Sequence, residues 1–451
     1  MSAGDDADGT AEGRGSVTTD AKDGPPPRPA AANPRSDAAL AGHAQRMRAL
    51  RRIYAAALAV IAAAAITVFV VEYARGEISH ASLRPIADPP PSVALTSPSG
   101  RLTKAWSSND VTAVGTPYYN GTIVTHDQHT VRGRDALTGR QTWSYTRTDR
   151  TVCAAIQNDG VTIAVYRLGG NCDELTAVDT GTGQRKWTRT LDKDGAVFDG
   201  PATYSVQPDN VMLVSRTSIY ALADENDGGL DWWTFYHPGC TINSAILGVA
   251  GALISQTCHQ ERCDGKKFCG DGRQLLLRQG EAGTSDSKTN PDQIVWNKRG
   301  SDLQPAIAGE HVAARDPSTG KLVLLEQKTG KVQAELPTAG STSISAFTSA
   351  LDADLYWTGG QTYALKTNET SFAWHAPTGY LPTALNATGQ ANAPLGKSRV
   401  TAPGSTGILD LDGATGSVTH RYPVAAPAAG SLVYPFGTGF LLAGSSTTVY
   451  R

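Results

Sequence analysis

Several things are scarce in this chain of 451 residues, and each scarcity closes a route. Charged residues make up 18% and the net charge is −2, so no global field favours nucleic acid or an anionic surface. Aromatics are 7% against 47 glycines, a balance that suits many short strands joined by tight turns. Outside one segment there is no long apolar stripe of helical period, which excludes a helical bundle. No cysteine precedes Cys153, so there is no lipobox and a lipoprotein is excluded. No P-loop, GxSxG, HExxH or dinucleotide-type GxGxxG is present, which removes the chemistries those motifs carry.

The exceptional segment is Ile53 to Val71, nineteen residues without a charge. That is close to the ~20 needed to span hydrocarbon. Arg46, Arg48, Arg51 and Arg52 precede it, so the positive-inside rule puts the N-terminus in the cytoplasm and the remainder outside. A cleaved signal peptide is the competing reading. It fits poorly, because the preceding region is long and no A-x-A site follows. Residues 1–45 are rich in Gly, Ala, Asp and Pro, and are expected to be a disordered cytoplasmic tail. Residues 46–75 hold the basic flank and the span. Residues 76–100 carry five prolines and are expected to form a semi-rigid extended spacer.

From 101 to 451 one phrase recurs: an acidic or small residue, then Thr-Gly, then Trp four residues after the Gly. It reads Asp135-Ala-Leu-Thr138-Gly139 with Trp143, and Asp179-Thr-Gly-Thr182-Gly183 with Trp187. Weaker copies are Gly228 with Trp232, Gly330 with Ala334, Thr370 with Trp374, and Gly416 with His420. Adding Trp106 and Trp296, the marks fall 37 to 46 residues apart, except for one step of 64 that contains a polar insertion. Each copy of the phrase closes a stretch of short strand-like runs, for example Val152–Ile156, Val161–Tyr166, Leu175–Val178 and Gln184–Thr190, while Trp106 has no three strands before it. Four antiparallel strands in ~40 residues is the unit of a β-propeller blade. The predicted fold is therefore all-β, an eight-bladed propeller preceded by one transmembrane helix. Seven blades is the alternative, if the copies near 379–424 do not complete a blade. The C-terminal run lacks a fourth strand, and Leu102–Trp106 is predicted to supply it and close the ring. Trp106, Trp143, Trp187, Trp232, Trp296 and Trp374 are read as structural fillers between blades. Gly139, Gly183, Gly228, Gly330 and Gly416 are read as turn residues.

The six cysteines are Cys153, Cys172, Cys240, Cys258, Cys263 and Cys269. An even number in an extracytoplasmic domain points to disulfides. Their places in the repeat predict Cys153–Cys172 and Cys240–Cys258, with Cys263–Cys269 closing the inserted loop. A zinc site using Cys258, Cys263, Cys269 and His259 or Cys240 is the other reading, though the spacing lacks paired C-x-x-C. His126-Asp-Gln-His129 reads as a metal pair or as an ordinary polar turn. The basic run Arg262–Lys267 reads as a solvated loop or a docking protrusion. Trp232-Trp233-Thr-Phe235-Tyr236-His237 is the most aromatic stretch and a candidate contact patch.

The phrase Ala177-x-Asp179-x-x-Thr182-Gly183-x-x-x-Trp187 resembles the tryptophan-docking repeat of PQQ-like (quinoprotein-type) β-propellers. The resemblance extends in partial copies over roughly residues 101–451. It implies one of two branches: eight-bladed alcohol dehydrogenases that bind PQQ and calcium, or non-enzymatic scaffolds of BamB type. The dehydrogenase branch has adjacent cysteines in a disulfide ring and an acidic calcium set, and this chain has neither in its sequence. The composition looks like that of a high-GC actinobacterial membrane protein. The expected function is a non-catalytic extracytoplasmic binding or scaffolding module, held to the cell membrane through 53–71, with a protein or cell-envelope ligand and no nucleic acid. No cofactor is expected on that reading. The alternatives are a divergent PQQ-dependent oxidoreductase, with PQQ and calcium in the channel, and an extracellular sensor.

Overall fold

The computed structural model describes residues 46, 50, 53–64, 66, 80–92, 98, 101–168, 171–191, 203–207, 210–215, 218–224, 229–235, 240–259, 272–278, 294–339, 345–385 and 394–451. The chain divides into two units, Met1–Ala74 and Arg75–Arg451. In the first, residues 53–64 are helical. Among the described residues no helix is long and apolar enough to cross a membrane. Residues 65 and 67–71 of the expected span lie outside them.

The described strands of the second unit form eight sheets, numbered I to VIII here in chain order. Sheet I is built on Thr122–His126, Thr130–Asp135 and Gln141–Arg147. Sheet II is built on Thr151–Asn158, Val161–Leu168, Asn171–Asp179 and Arg185–Thr190. Sheets III and IV begin at Thr203–Gln207 and Cys240–Gly248, and sheets V and VI at Gln304–Ala308 and Ser345–Ala350. Sheet VII comprises Thr383–Leu385, Arg399–Gly404, Gly407–Leu411 and Val418–Tyr422, so the region near 379–424 does form four strands. In sheet VIII, Leu432–Phe436, Gly439–Ala443 and Thr447–Tyr450 receive Lys104–Ser108 as fourth strand. The first strands of neighbouring sheets from II to VIII lie against one another. Sheet VIII returns to sheet I, where Tyr434, Phe436, Leu441 and Val449 pack on Ile123 and Ala136. This succession is the arrangement of a β-propeller.

Local chemistry explains the strands. In sheet II, Val161–Leu168 alternates between two apolar faces, Ile163 and Val165 toward sheet III and Ala164 and Tyr166 toward sheet I. The hairpin before it turns through Asp159 and Gly160, both at positive φ, as a two-residue turn requires.

Four indoles dock on the turn of the following sheet. Trp106 Nε1 donates to Ala136 O (3.0 Å), Trp143 to Thr180 O (2.7 Å), Trp296 to Gln327 O (2.9 Å) and Trp374 to Gly413 O (2.9 Å). In every case the acceptor lies three residues before a glycine: Gly139, Gly183, Gly330 or Gly416. A Cβ on any of these would come within 2.5–2.6 Å of the ring. The turn itself is fixed by its acid: Asp135, Asp179 and Asp412 each accept from the backbone N–H and hydroxyl of the threonine three residues on. Trp187 packs against the sheet II–III core, and its expected partner Gly228 lies outside the described residues. Only the backbone of Trp232 is described, in Gly229–Phe235.

The proline-rich stretch is not simply a spacer. Ala81–Arg84 adds to the outer edge of sheet I, pairing antiparallel with Ser144–Arg147. The cause is a four-residue alternation: Ala81 and Leu83 pack into the core between sheets I and II, while Ser82 and Arg84 face out. Beyond it, Ile86 N–H bonds to Thr182 O, and Pro89 to Pro91 lie over Gly181 and Gly121.

The docking geometry predicts that Gly183→Ala costs more stability than Gly300→Ala. Both glycines have positive φ, at 74° and 66°, but Gly300 has open space where Gly183 meets Trp143. Gly300→Ala should cost about 1–2 kcal/mol from backbone strain alone. Gly183→Ala should exceed it and approach the about 3–5 kcal/mol expected for Trp143→Ala. Chemical denaturation of the three variants measures this, and equal losses for the two glycine variants would refute the dock.

Candidate functional site

The strands of each sheet alternate in direction, so the turns joining first to second and third to fourth strands share one end. On that end, three neighbouring turns lean on the next sheet. Ala250 N–H bonds to Ala308 O, tying sheet IV to sheet V. From sheet V, the backbone N–H groups of Glu310 and His311 and the ring Nδ1 of His311 converge on Asp354 of sheet VI. Ser349 Oγ donates to the same carboxylate at 2.6 Å, and Asp354 is fully buried. Leu395 N–H then bonds to Asp352, joining sheet VI to sheet VII. The tips carry exposed apolar side chains, Val249 at 66% and Leu351 at 59%. A rigid rim with apolar tips is suited to contact with another surface. It is the feature of this end that the sequence reading passed over. Both residues sit in short turns between apolar strands, where an exposed Val or Leu carries no pattern.

The seam between sheets I and II is charged at its other end. Arg147, fully buried, grips Asp149 through Nε and Nη2 at 2.9 Å each and bonds to Glu174 through Nη1. Arg150 bonds to the second oxygen of Glu174 at 3.0 Å. Burial opposes ionisation of Asp149, but the Arg147 guanidinium outweighs it and holds the carboxyl below its usual 3.8. The Cys153–Cys172 disulfide lies beside this network. Cys153 follows Arg150 by three positions and Cys172 precedes Glu174 by two, so the bridge staples the two segments that carry the ion pair. The second disulfide, Cys240–Cys258, joins directly opposed residues of the first two strands of sheet IV. The two bridges are therefore not equivalent in the repeat: Cys172 sits in a third strand, Cys258 at the end of a second. Cys263 and Cys269, like the basic run 262–267, lie outside the described residues.

His126 and His129 do not come together with other ligands. His126 Nδ1 lies on Asp127 O and His129 Nδ1 on Arg150 O. Asp127 accepts from the N–H groups of His129 and Thr130 and pairs with Arg132, which makes this a structured polar turn. Asp110 collects Arg132, Arg134 and Thr125 on the face toward sheet VIII. Among the described residues no three His, Cys, Asp or Glu side chains group to hold a metal ion. Each described disulfide joins residues well apart in sequence, at separations of 19 and 18.

The channel side of sheet II is also occupied. Val114–Gly115 pairs in parallel with the innermost strand, at Ile156 and Gln157. Tyr434 OH donates to Gly115 O across from sheet VIII at 2.7 Å. A Cβ at Gly115 would lie 2.2 Å from Gln157 O, so the segment sits as close as backbone allows. The sequence offered only short runs between Val111 and Tyr119, without a strand-length pattern.

The acid behaviour of the seams can be measured. A carboxyl held below its usual value contributes fully above that value and loses its contribution as pH falls through its own lower one. For Asp110, Asp127 and Asp149 burial works against ionisation, and arginine partners still leave the net shift downward. The contribution of these three carboxylates should therefore be constant from neutral pH to about 4 and fall below it. Asp149→Asn should be less stable at neutral pH and show a shallower acid limb. Melting temperature against pH reads both, and an unchanged acid limb would count against the network.

Residues 92–246 match the family model described as outer membrane protein assembly factor BamB. No curated protein matches the chain. Among solved structures, BamB from Moraxella catarrhalis is similar at 16% identity and a TM-score of 0.44, covering 78% of this chain and 99% of that one. The quinohemoprotein alcohol dehydrogenase ADHIIG from Pseudomonas putida HK5 is similar at 13% identity and a TM-score of 0.44, covering 78% and 76%. The computationally designed Ika8 protein is similar at 12% identity and a TM-score of 0.47, covering 81% and 100%. The low identities and TM-scores leave the match over 92–246 as the finding that bears on kinship. Over that stretch the chain carries the repeat of the PQQ-like β-propeller family.

Proposed function

We propose that this protein is a non-catalytic binding or scaffolding module, an eight-bladed PQQ-like propeller outside the cell membrane and anchored to it by residues 53–71. The observation that carries the reading is where the chemistry is spent. The buried carboxylates Asp354, Glu174 and Asp410 each accept hydrogen bonds from neighbouring groups at or between sheets, which is cohesion rather than a poised reaction centre. The rim of Val249, Glu310 and Leu351 is the surface we assign to the partner, a protein or cell-envelope ligand. The matched model is described as an outer membrane protein assembly factor. Anchoring is supported by the helix at 53–64, where Ile53, Tyr54, Leu58, Val60 and Ile61 are each 64–68% exposed. An apolar surface of that kind needs lipid or protein around it.

Three measurements test this. Val249→Asp with Leu351→Asp should abolish a crosslinked partner in native membranes while leaving the melting temperature unchanged. Retained crosslinks would reject the rim. Deleting 53–71 should move the protein from the membrane pellet to the supernatant, and continued pelleting would reject the anchor. PQQ with calcium at saturation should leave the melting temperature where it is. An upward shift would instead favour a quinoprotein oxidoreductase.

A further inference from the structure

At the Thr-Gly end of the seam between sheets I and II, three buried polar atoms face one another's sheets without a partner. Gln157, fully buried on the first strand of sheet II, has neither its Oε1 nor its Nε2 hydrogen-bonded. Thr122 Oγ1, also fully buried, is in the same state on sheet I. Strand alternation puts them on facing surfaces. Gln157 shares its side with Ala155, and Thr122 shares its side with Val124, and both of those belong to the core between the two sheets. Gln157 stands opposite Thr162, whose hydroxyl pairs with that of Thr180 at 2.9 Å.

A buried amide left unpaired loses its hydration without compensation, and this one has two unpaired atoms. Internal waters typically make about three hydrogen bonds to otherwise unsatisfied groups, and three is the number of atoms here. The amide supplies donors and an acceptor, and the hydroxyl either role. We infer that this end of the seam is a binding site for internal water, held by Gln157 and Thr122 and roofed by the proline strap. The strap observations are independent of the orphaned atoms. Pro90 and Pro91 lie on Gly121, next to Thr122, and Pro89 lies on Gly181, next to Thr180. Tyr119 covers Gly160 at the adjoining hairpin. The site is thus closed from outside by the segment that leads to the first unit.

A high-resolution crystal structure of the full chain should show solvent density within hydrogen-bond distance of Gln157 and Thr122. Gln157→Met and the near-isosteric Thr122→Val should each lose or weaken that density and lower the melting temperature. Thr122→Val is the arm that remains readable should Gln157→Met fail to fold. The inference is overturned if Gln157 pairs with protein atoms and the site is dry. It is equally overturned if either variant raises the melting temperature, or if the density is too large for water.

Discussion

The structure depends on one contact, an indole wedged between two sheets and pinned by its N–H to the backbone of the next turn. Neighbouring sheets splay, and the gap at their outer strands needs a large flat filler. Tryptophan fills it, and its one polar atom is satisfied by a carbonyl at a fixed place, three residues before a glycine. That glycine is what lets the ring lie flat on the turn. The Asp-Thr bonds hold the turn in the shape that presents the carbonyl. Position, polarity and shape are thus set together, and the sheet that carries the tryptophan is oriented by its successor.

Where the indole is missing, other groups take up the gap. Sheet V carries Ala334 at the docking place. There Phe372, from the turn of sheet VI, packs into the same core and lies 4.6 Å from Tyr363. The His311–Asp354 contact ties this same seam near its inner strands. Sheet VII carries the exposed His420 instead of tryptophan. Its seam with sheet VIII is held by Tyr422 against Phe440 at 4.8 Å, with the Arg399 guanidinium over the same ring. Asp410 joins Arg399 and Tyr422 beneath. Burial and Asp410 together raise the Tyr422 phenol to about 12, so it stays a donor across the physiological range.

Much of this was legible in the chain, and the misreadings have definite causes. The closure of sheet VIII by residues near Trp106 could be read because a final run of three strands needs a fourth. The phrase itself was read as a unit, glycine with the tryptophan that follows. Physically the glycine belongs to the tryptophan before it. Gly330 is kept although its own strand has Ala334, because Trp296 precedes it. Trp374 is kept although its own turn lacks the glycine, because Ala334 precedes it and nothing rests on that turn. Gly416 is kept although His420 follows, because Trp374 rests there. The irregular copies are therefore consistent once they are paired across the seam. The strap escaped notice because four residues of alternation in Ala81–Arg84 are too few to stand out beside prolines. The orphaned amide of Gln157 escaped because burial of a single polar residue has no sequence signal.

The same logic bears on function. A reaction centre needs a carboxylate, histidine or hydroxyl with a free lone pair or proton directed at open space. Asp354 accepts from two backbone N–H groups, one ring nitrogen and one hydroxyl. Both Glu174 oxygens are taken by arginines, and both Asp149 oxygens by Arg147. Asp110 accepts from two arginines and a threonine. Groups tied this fully are lost to catalysis but are effective at making a ring rigid. Rigidity, in turn, is what a binding rim requires, since a preformed surface loses little entropy on meeting its partner. On the proposed reading, the fixed exposed tips Val249 and Leu351 matter more than any single reactive side chain. On that same reading, specificity rests on the turns between first and second strands of sheets IV, V and VI, which lean on the next sheet.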